Sequence, residues 1–276
     1  MQDFDFTHSF RTARARVRAE SPLIHSITSP IAINDCANAV LALGAKPIMA
    51  EHPREVARIA RMARALTVSL ANITDARAES IRIAGREKRA VIDLVGVTCS
   101  PFRMELARDF IRDCRPAVIK GNVSEIRAAA GADFNDSGID VSRRDAVTKK
   151  NPSAQQQMAE IMAAYAAATD AVILASGEVD LIASPDGAVC FVENGSPAMA
   201  NGTGTGCILT CIIGTYLSVT DPFTASALAA VTLGIAGELA DASHGLGTYH
   251  IGLIDALSTM SDEQVKALAK ISSFHF

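Results

Sequence analysis

Apolar and polar positions along the chain alternate between two rhythms. Residues 31–45, IAINDCANAVLALGA, repeat apolar side chains at helical spacing, and KPIMA at 46–50 then reads as a short strand. PREVARIARMARA (53–65) predicts an amphipathic helix with Val56, Ile59, Ala60 and Ala63 on one face, and LTVSLAN (66–72) a strand. The same exchange recurs. DARAESIRIAGREKR (75–89) is a helix and AVIDLVGV (90–97) an apolar strand broken only by Asp93. PFRMELARDFIRDC (101–114) is a helix with Pro101 in its first turn, PAVIKGN (116–122) a strand, and VSEIRAAAG (123–131) a helix closed by Gly131. Residues 132–153 are polar and turn-rich and read as a surface excursion. A helix over 154–170 follows, with Ser153 as its expected N-cap, and then AVILASG (171–177) as a strand. Residues 180–195 form two strands around the Pro-Asp-Gly turn at 185–187. Helices are expected over 205–219, 223–241 and 250–271, and an amphipathic one near the basic RTARARVR cluster at the N-terminus.

Strands that alternate with helices, each strand apolar nearly throughout, predict an α/β fold. Its sheet is largely parallel and covered by helices on both faces, and the hairpin adds an antiparallel edge. No linker or repeat divides the chain, so residues 1–276 are expected to form one domain. Ligands in such sheets bind beyond the carboxyl ends of strands. That rule selects the positions following Met49, Asn72, Asp93, Lys120 and Ser176.

Composition narrows the function. Hydrophobic residues are 49% of the chain, enough for a large core, and the net charge of −4 with no basic block argues against nucleic acid as a partner. The absence of tryptophan and an aromatic content of 5% also argue against base stacking. The N-terminus lacks a signal-peptide core, and the apolar run 208–219 is too short to span a bilayer, so a soluble cytoplasmic protein is expected. Six cysteines occur without a CxxC pair or a histidine beside Cys207 and Cys211. Most are expected to be buried small hydrophobes, with a zinc or redox sensor as the weaker alternative.

The segment NGTGTGC (201–207) fits neither GxGxxG nor a Walker A loop. It nonetheless places glycines before a helix whose first amides lack intrahelical partners, an arrangement that suits an anion. A glycine-rich turn with a threonine cap explains the same residues. Cys207 in the first turn of that helix is expected to have a lowered thiol pKa, or simply to pack beneath the loop. In KGNVSEI (120–126), Lys120 supplies a charge suited to phosphate. Asn122 and Glu125 share a face of the first helical turn, where they also suit an ordinary cap. Asp93, inside an apolar strand, must be paired, metal-bound or at the open strand end. Met49 and Ser176 end strands, and His25 is a base or a structural histidine.

Taken in order, PLIHSIT, ANAVLALGAKPIMAE, DLVGV with PFR, VIKGNVSEI, SGEVDLI, NGTGTGC and GIAGELA with LIDAL resemble the hydroxyethylthiazole kinase family of ribokinase-like enzymes over residues 22–258. The resemblance implies a three-layer α/β/α fold and MgATP-dependent phosphorylation of 4-methyl-5-(2-hydroxyethyl)thiazole in thiamine salvage. It also implies a homotrimer with active sites between subunits. By the same resemblance Met49 lines the thiazole site and Gly204 lies at the substrate hydroxyl. Lys120 and Ser176 contact ATP, and Asp93 and Glu125 organise Mg²⁺ and its water. Gly204, Thr205, Gly206 and Cys207 form the anion hole, and Cys207 accepts the alcohol proton. The chain departs from the family pattern at Ser29, usually Asn, at Leu94, Thr98, Cys99 and Ser100 in DLVGVTCS, and at Lys120, commonly Arg. These departures bear on substrate range and rate. A kinase of another heterocyclic alcohol, such as a hydroxymethylpyrimidine, and a catalytically idle thiazole or nucleotide binder are the alternatives.

Overall fold

The structure is a computed structural model, and it describes residues 6–133 and 147–275. Its strands are β1 (Leu23–Ile27), β2 (Lys46–Ile48), β3 (Ala65–Ser69), β4 (Ala90–Asp93), β5 (Val118–Asn122), β6 (Val172–Ser176), β7 (Asp180–Ala183), β8 (Ala188–Val192) and β9 (Ile271–His275). They form one sheet in the order β2-β1-β3-β4-β5-β6-β7-β8-β9. The first six run parallel and the last three antiparallel.

Period-two alternation along the strands divides the core into two. Val91, Val118, Val172 and Leu174 face the layer containing α1 (Phe6–Glu20), α2 (Ile33–Ala42), α8 (Thr205–Leu217), α9 (Pro222–Leu239), α10 (Leu246–Thr259) and α11 (Asp262–Leu268). Their neighbours Ala90, Ile92, Ile119, Ile173 and Ala175 face α3 (Val56–Met62), α4 (Asp75–Glu87), α5 (Pro101–Cys114), α6 (Val123–Ala129) and α7 (Pro152–Thr169). The result is the expected three-layer α/β/α arrangement. Asp93 and Lys120 follow Val91 and Val118 at a spacing of two, so the pleat turns both toward the α8 layer.

α8 sits unusually close to the sheet. A Cβ added at Gly214 would lie 2.2 Å from Thr67 Cγ2, so only glycine admits this approach. The buried Ile212 and Ile213 complete the contact, each contributing about 1.5–3 kcal/mol of apolar burial. This packing sets the N-terminus of α8 over the carboxyl ends of β3–β5. α9 is long and apolar enough to cross a membrane, but 83% of it is buried within the fold, as befits a core helix.

Four sequence expectations change. The expected helix over 250–271 is three elements: α10 ends at Thr259, α11 begins at the Ser261 capping box, and β9 pairs with the hairpin strand β8. β1 is a fully paired strand that the hydrophobic pattern alone did not mark. β4 ends at Asp93, after which Gly96 turns the chain into a short 3-10 turn, Val97–Cys99, instead of continuing to Val97. The N-cap of α7 is Asn151, whose side chain accepts from Ala154 N. Pro152 occupies the first turn and Ser153 lies inside the helix. Most of the expected excursion over 132–153, residues 134–146, lies outside the described residues.

Candidate active site

Parallel pairing in register makes Asp93 and Lys120 direct partners across β4 and β5. Both are buried, and Lys120 Nζ donates to Asp93 Oδ1 at 3.1 Å. The same ammonium donates to Gly206 O at 3.2 Å, in the first turn of α8. Thr210 Oγ1, one turn further along, has two acceptors within reach of its single proton, Asp93 Oδ2 at 3.2 Å and Gly206 O at 3.0 Å. The sheet edge and the helix start are thus joined by a single polar bridge. Burial by itself lowers the Lys120 pKa, but Asp93 and then Glu125 outweigh it, so the ammonium titrates above its ordinary range.

Gly204 caps α8 at φ +91°, a left-handed conformation, and a Cβ there would lie 3.1 Å from Ala32 Cβ. The first intrahelical bond of α8 runs from Ile208 N to Gly204 O. The amides of Thr205, Gly206 and Cys207 precede it and have no carbonyl of their own helix to meet. With the helix dipole they favour an anion at this point. Cys207 is buried against the core group that also takes in Ala32, Cys36 and the half-buried Met49. Its expected low pKa is corrected here. Burial, then the neighbouring Asp93 carboxylate, push the thiol up to about 11, and Lys120 only partly offsets them. The residue is a neutral thiol at pH 7.

Glu125 forms a reciprocal capping box with Asn122. Asn122 Oδ1 accepts from Glu125 N at 2.9 Å, and Glu125 Oε2 accepts from Asn122 N at 2.7 Å. Oε1 accepts from Gly96 N at 2.7 Å, tying α6 to the turn that follows Asp93. Burial, then Asp93, raise the Glu125 carboxyl to about 7 against the pull of these amides and Lys120. Two buried carboxylates that repel each other are a setting a divalent cation relieves. Among the described residues no group of three or more His, Cys, Asp or Glu stands ready to hold a metal. A magnesium ion does not require one, because it retains waters and takes one or two carboxylates together with phosphate oxygens. The donor set of Asp93 and Glu125 fits that ion.

Ser176 ends β6 opposite Asn122 and donates from Oγ to Gly121 O at 3.3 Å. The following turn is held by Asp180, whose Oδ1 accepts from Gly177 N at 2.9 Å. Burial raises the Asp180 carboxyl to about 7, with Gly177 N and Lys120 opposing. On the other flank, buried Ser29 donates to Asn72 Oδ1 at 3.0 Å. Leu94 is fully buried, while Cys99 is exposed and Thr98 stands between them in the 3-10 turn.

The structure therefore gathers Asp93, Lys120, Glu125 and the Gly204–Cys207 loop into one locus, with Ser176 on the β6 side and Met49 on the β2 side. His25 is not a free base. It is neutral, its pKa lowered by burial, and its Nε2 contacts Ala50 O at 2.8 Å. Sequence reasoning missed Thr210 and Asp180 as members of the locus. The only hint for Thr210 was a hydroxyl one turn beyond Cys207 in an otherwise apolar helix.

A model of the hydroxyethylthiazole kinase family matches residues 15–263. A hydroxyethylthiazole kinase 2 from Clostridium botulinum is 43% identical over 266 residues, covering 95% of this chain and 99% of the relative. A hydroxyethylthiazole kinase 1 from Methanosphaera stadtmanae is 35% identical over 93% and 94% of the two chains. The structure of a hydroxyethylthiazole kinase protein from Pyrococcus horikoshii superposes with a TM-score of 0.84 at 27% identity, covering 96% of this chain and 99% of that one. A pyridoxal kinase from Staphylococcus aureus, at 12% identity and a TM-score of 0.59, shares the fold. With a family model spanning most of its length and relatives this similar, the chain belongs to the hydroxyethylthiazole kinase family.

Proposed function

We propose that this protein transfers the γ-phosphoryl group of ATP to the hydroxyl of 4-methyl-5-(2-hydroxyethyl)thiazole, a step of thiamine salvage. The observation that carries the reading is the Asp93–Lys120–Gly206 bridge, which holds unpaired helix amides over charged strand ends. Phosphoryl transfer passes through a loose transition state, so catalysis rests on positioning and charge stabilisation. The amides of Thr205, Gly206 and Cys207 supply donors for the oxygens of the transferring group. Lys120 supplies positive charge on the nucleotide side, and Ser176 contacts the nucleotide at the end of β6. Met49 lines the acceptor side, and the acceptor hydroxyl lies at Gly204. Asp93 and Glu125 would hold Mg²⁺ through water, and the ion would neutralise phosphate charge.

The alcohol proton leaves late, when the oxygen has already gained bond order to phosphorus, and passes to an oxygen of the transferred phosphoryl group rather than to the Cys207 thiol. A neutral thiol near pKa 11 is not a resting base, so it acts as a short-range partner of the hydroxyl. We read residues 1–276 as one cytoplasmic kinase domain, where six unpaired cysteines stay reduced. We further read the working form as a homotrimer with the site between subunits. Ile31, Leu41, Leu246 and Ile251 are exposed on or beside α2 and α10, which pack together next to Gly204 and leave an apolar surface for a second copy.

Phosphorylation measured across a panel of heterocyclic alcohols tests the substrate. Preference for the thiazole alcohol is expected. Turnover of a hydroxymethylpyrimidine alone would replace that assignment, and binding without turnover would favour an idle binder.

A further inference from the structure

The segment after β2, Met49 to His52, is a strap along the acceptor side of the site. β2 is a three-residue strand at the sheet edge, so ladder bonds end at Ile48. Beyond it, buried side chains hold the strap. His25 donates from Nε2 to Ala50 O, and Ser80 Oγ donates to Glu51 O at 2.7 Å. Arg77, in the first turn of α4, makes the third connection. Its Nη1 donates to Glu51 Oε2 at 2.7 Å, and its Nη2 donates to Thr28 O at 2.6 Å.

Three features separate Arg77 from an ordinary stabilising ion pair. It is only 4% exposed, whereas the Glu51 side chain is 46% exposed, so the cation is the desolvated partner. Its Nε has no hydrogen-bond partner among the described residues. Such burial carries a desolvation cost that an apolar side chain would avoid. Finally, its two anchors belong to different parts of the site. Glu51 lies two residues from Met49, while the Thr28 hydroxyl meets Cys36 Sγ at 3.7 Å, in the core group that also takes in Cys207. A planar guanidinium with both forks occupied fixes the spacing between strap and β1 end in a way a lysine ammonium cannot.

We propose that Arg77 and Glu51 form a latch that sets the gap between Met49 and the Gly204–Cys207 loop, making Arg77 a positioning residue for the acceptor alcohol. The latch rests on the reading that the acceptor binds between Met49 and Gly204. It lies away from Lys120 and Ser176 and leaves nucleotide binding alone.

The test uses full-length Arg77→Lys, Arg77→Met, Glu51→Gln and the double variant Arg77→Met/Glu51→Gln. KM for alcohol and for ATP is measured with hydrogen–deuterium exchange over residues 46–56. The latch predicts that KM for the alcohol rises about tenfold, the cost of one charge-assisted bond, while KM for ATP stays within about twofold. It also predicts faster exchange in the strap and a double variant no worse than Arg77→Met. Glu51→Gln changes a half-exposed side chain and carries the test if Arg77→Met does not fold. An unchanged alcohol KM in folded variants, an equal rise in both KM values, or unchanged strap exchange would overturn the latch. Absence of turnover in the unmodified protein would instead refute the kinase reading, and exchange in the strap would still judge the latch.

Discussion

Lys120 Nζ lies 3.1 Å from Asp93 Oδ1, and the two residues are register partners on adjacent parallel strands with almost no solvent exposure. Removing one member leaves a buried uncompensated charge. Lys120→Met should lower unfolding free energy in urea by about 3 kcal/mol. The double variant Lys120→Met/Asp93→Leu should recover at least half of that loss, because both charges leave together. A double variant as unstable as the single one would show that the bridge to Gly206 and Thr210, not the ion pair, carries the stability.

Cys207 should be helpful without being obligatory. Cys207→Ala is expected to retain turnover within about 100-fold of the unmodified protein, the lower part of the range for a proton-transfer group. Cys207→Asp should match or exceed Cys207→Ala. The high thiol pKa makes a separate prediction. With exposed Cys99 replaced by Ser, iodoacetamide labelling of the Cys207 peptide should be slow at pH 7 and climb toward pH 11. A labelling plateau below pH 8 would indicate a resting thiolate and restore the role of Cys207 as a base.

Asp180 carries a folded-state pKa of about 7, raised by burial above the ordinary 3.8. Between those values the folded protein holds a proton that the unfolded chain releases, so stability is greatest below about pH 4 for this group and falls as pH rises toward 7. After discount for its partial exposure the loss is roughly 1–2 kcal/mol. Asp180→Asn keeps an acceptor for Gly177 N and should remove that slope, leaving the variant more stable at pH 8. Thermal unfolding at pH 5 and pH 8 measures the difference.

At Gly204 the backbone is left-handed and a Cβ would crowd Ala32. Gly204→Ala should displace the amides of Thr205 to Cys207 and lower kcat about 100-fold, in line with loss of an oxyanion donor. KM for ATP should change little if the nucleotide is held chiefly by Lys120 and Ser176. Steady-state kinetics with each substrate varied in turn separates these effects.

Much of this arrangement is legible in the chain. Strands buried on both faces read as short apolar runs, and the helix faces between them repeat at helical spacing. The Asn122–Glu125 spacing suits an ordinary N-terminal cap, and the structure makes of it a reciprocal capping box. Asp93 in an apolar strand demands a partner, and pairing supplies Lys120. What stayed hidden depends on tertiary neighbours. ISSFH carries little apolar signal and becomes β9 only by pairing with β8. Position in a helix's first turn suggests an acidic thiol at Cys207, but desolvation and Asp93 outweigh the helix end. Thr210, Arg77 and Asp180 join the site across long sequence separations that no local pattern records.

The central claim is phosphoryl transfer to the thiazole alcohol by residues gathered at the carboxyl edge of the sheet. Phosphorus NMR of the protein with MgATP and 4-methyl-5-(2-hydroxyethyl)thiazole tests it most directly. The account predicts equal formation of ADP and the phosphate monoester, with the monoester signal nearly lost in Asp93→Asn. ATP left intact in the presence of the alcohol, or ADP formed without monoester, would contradict it.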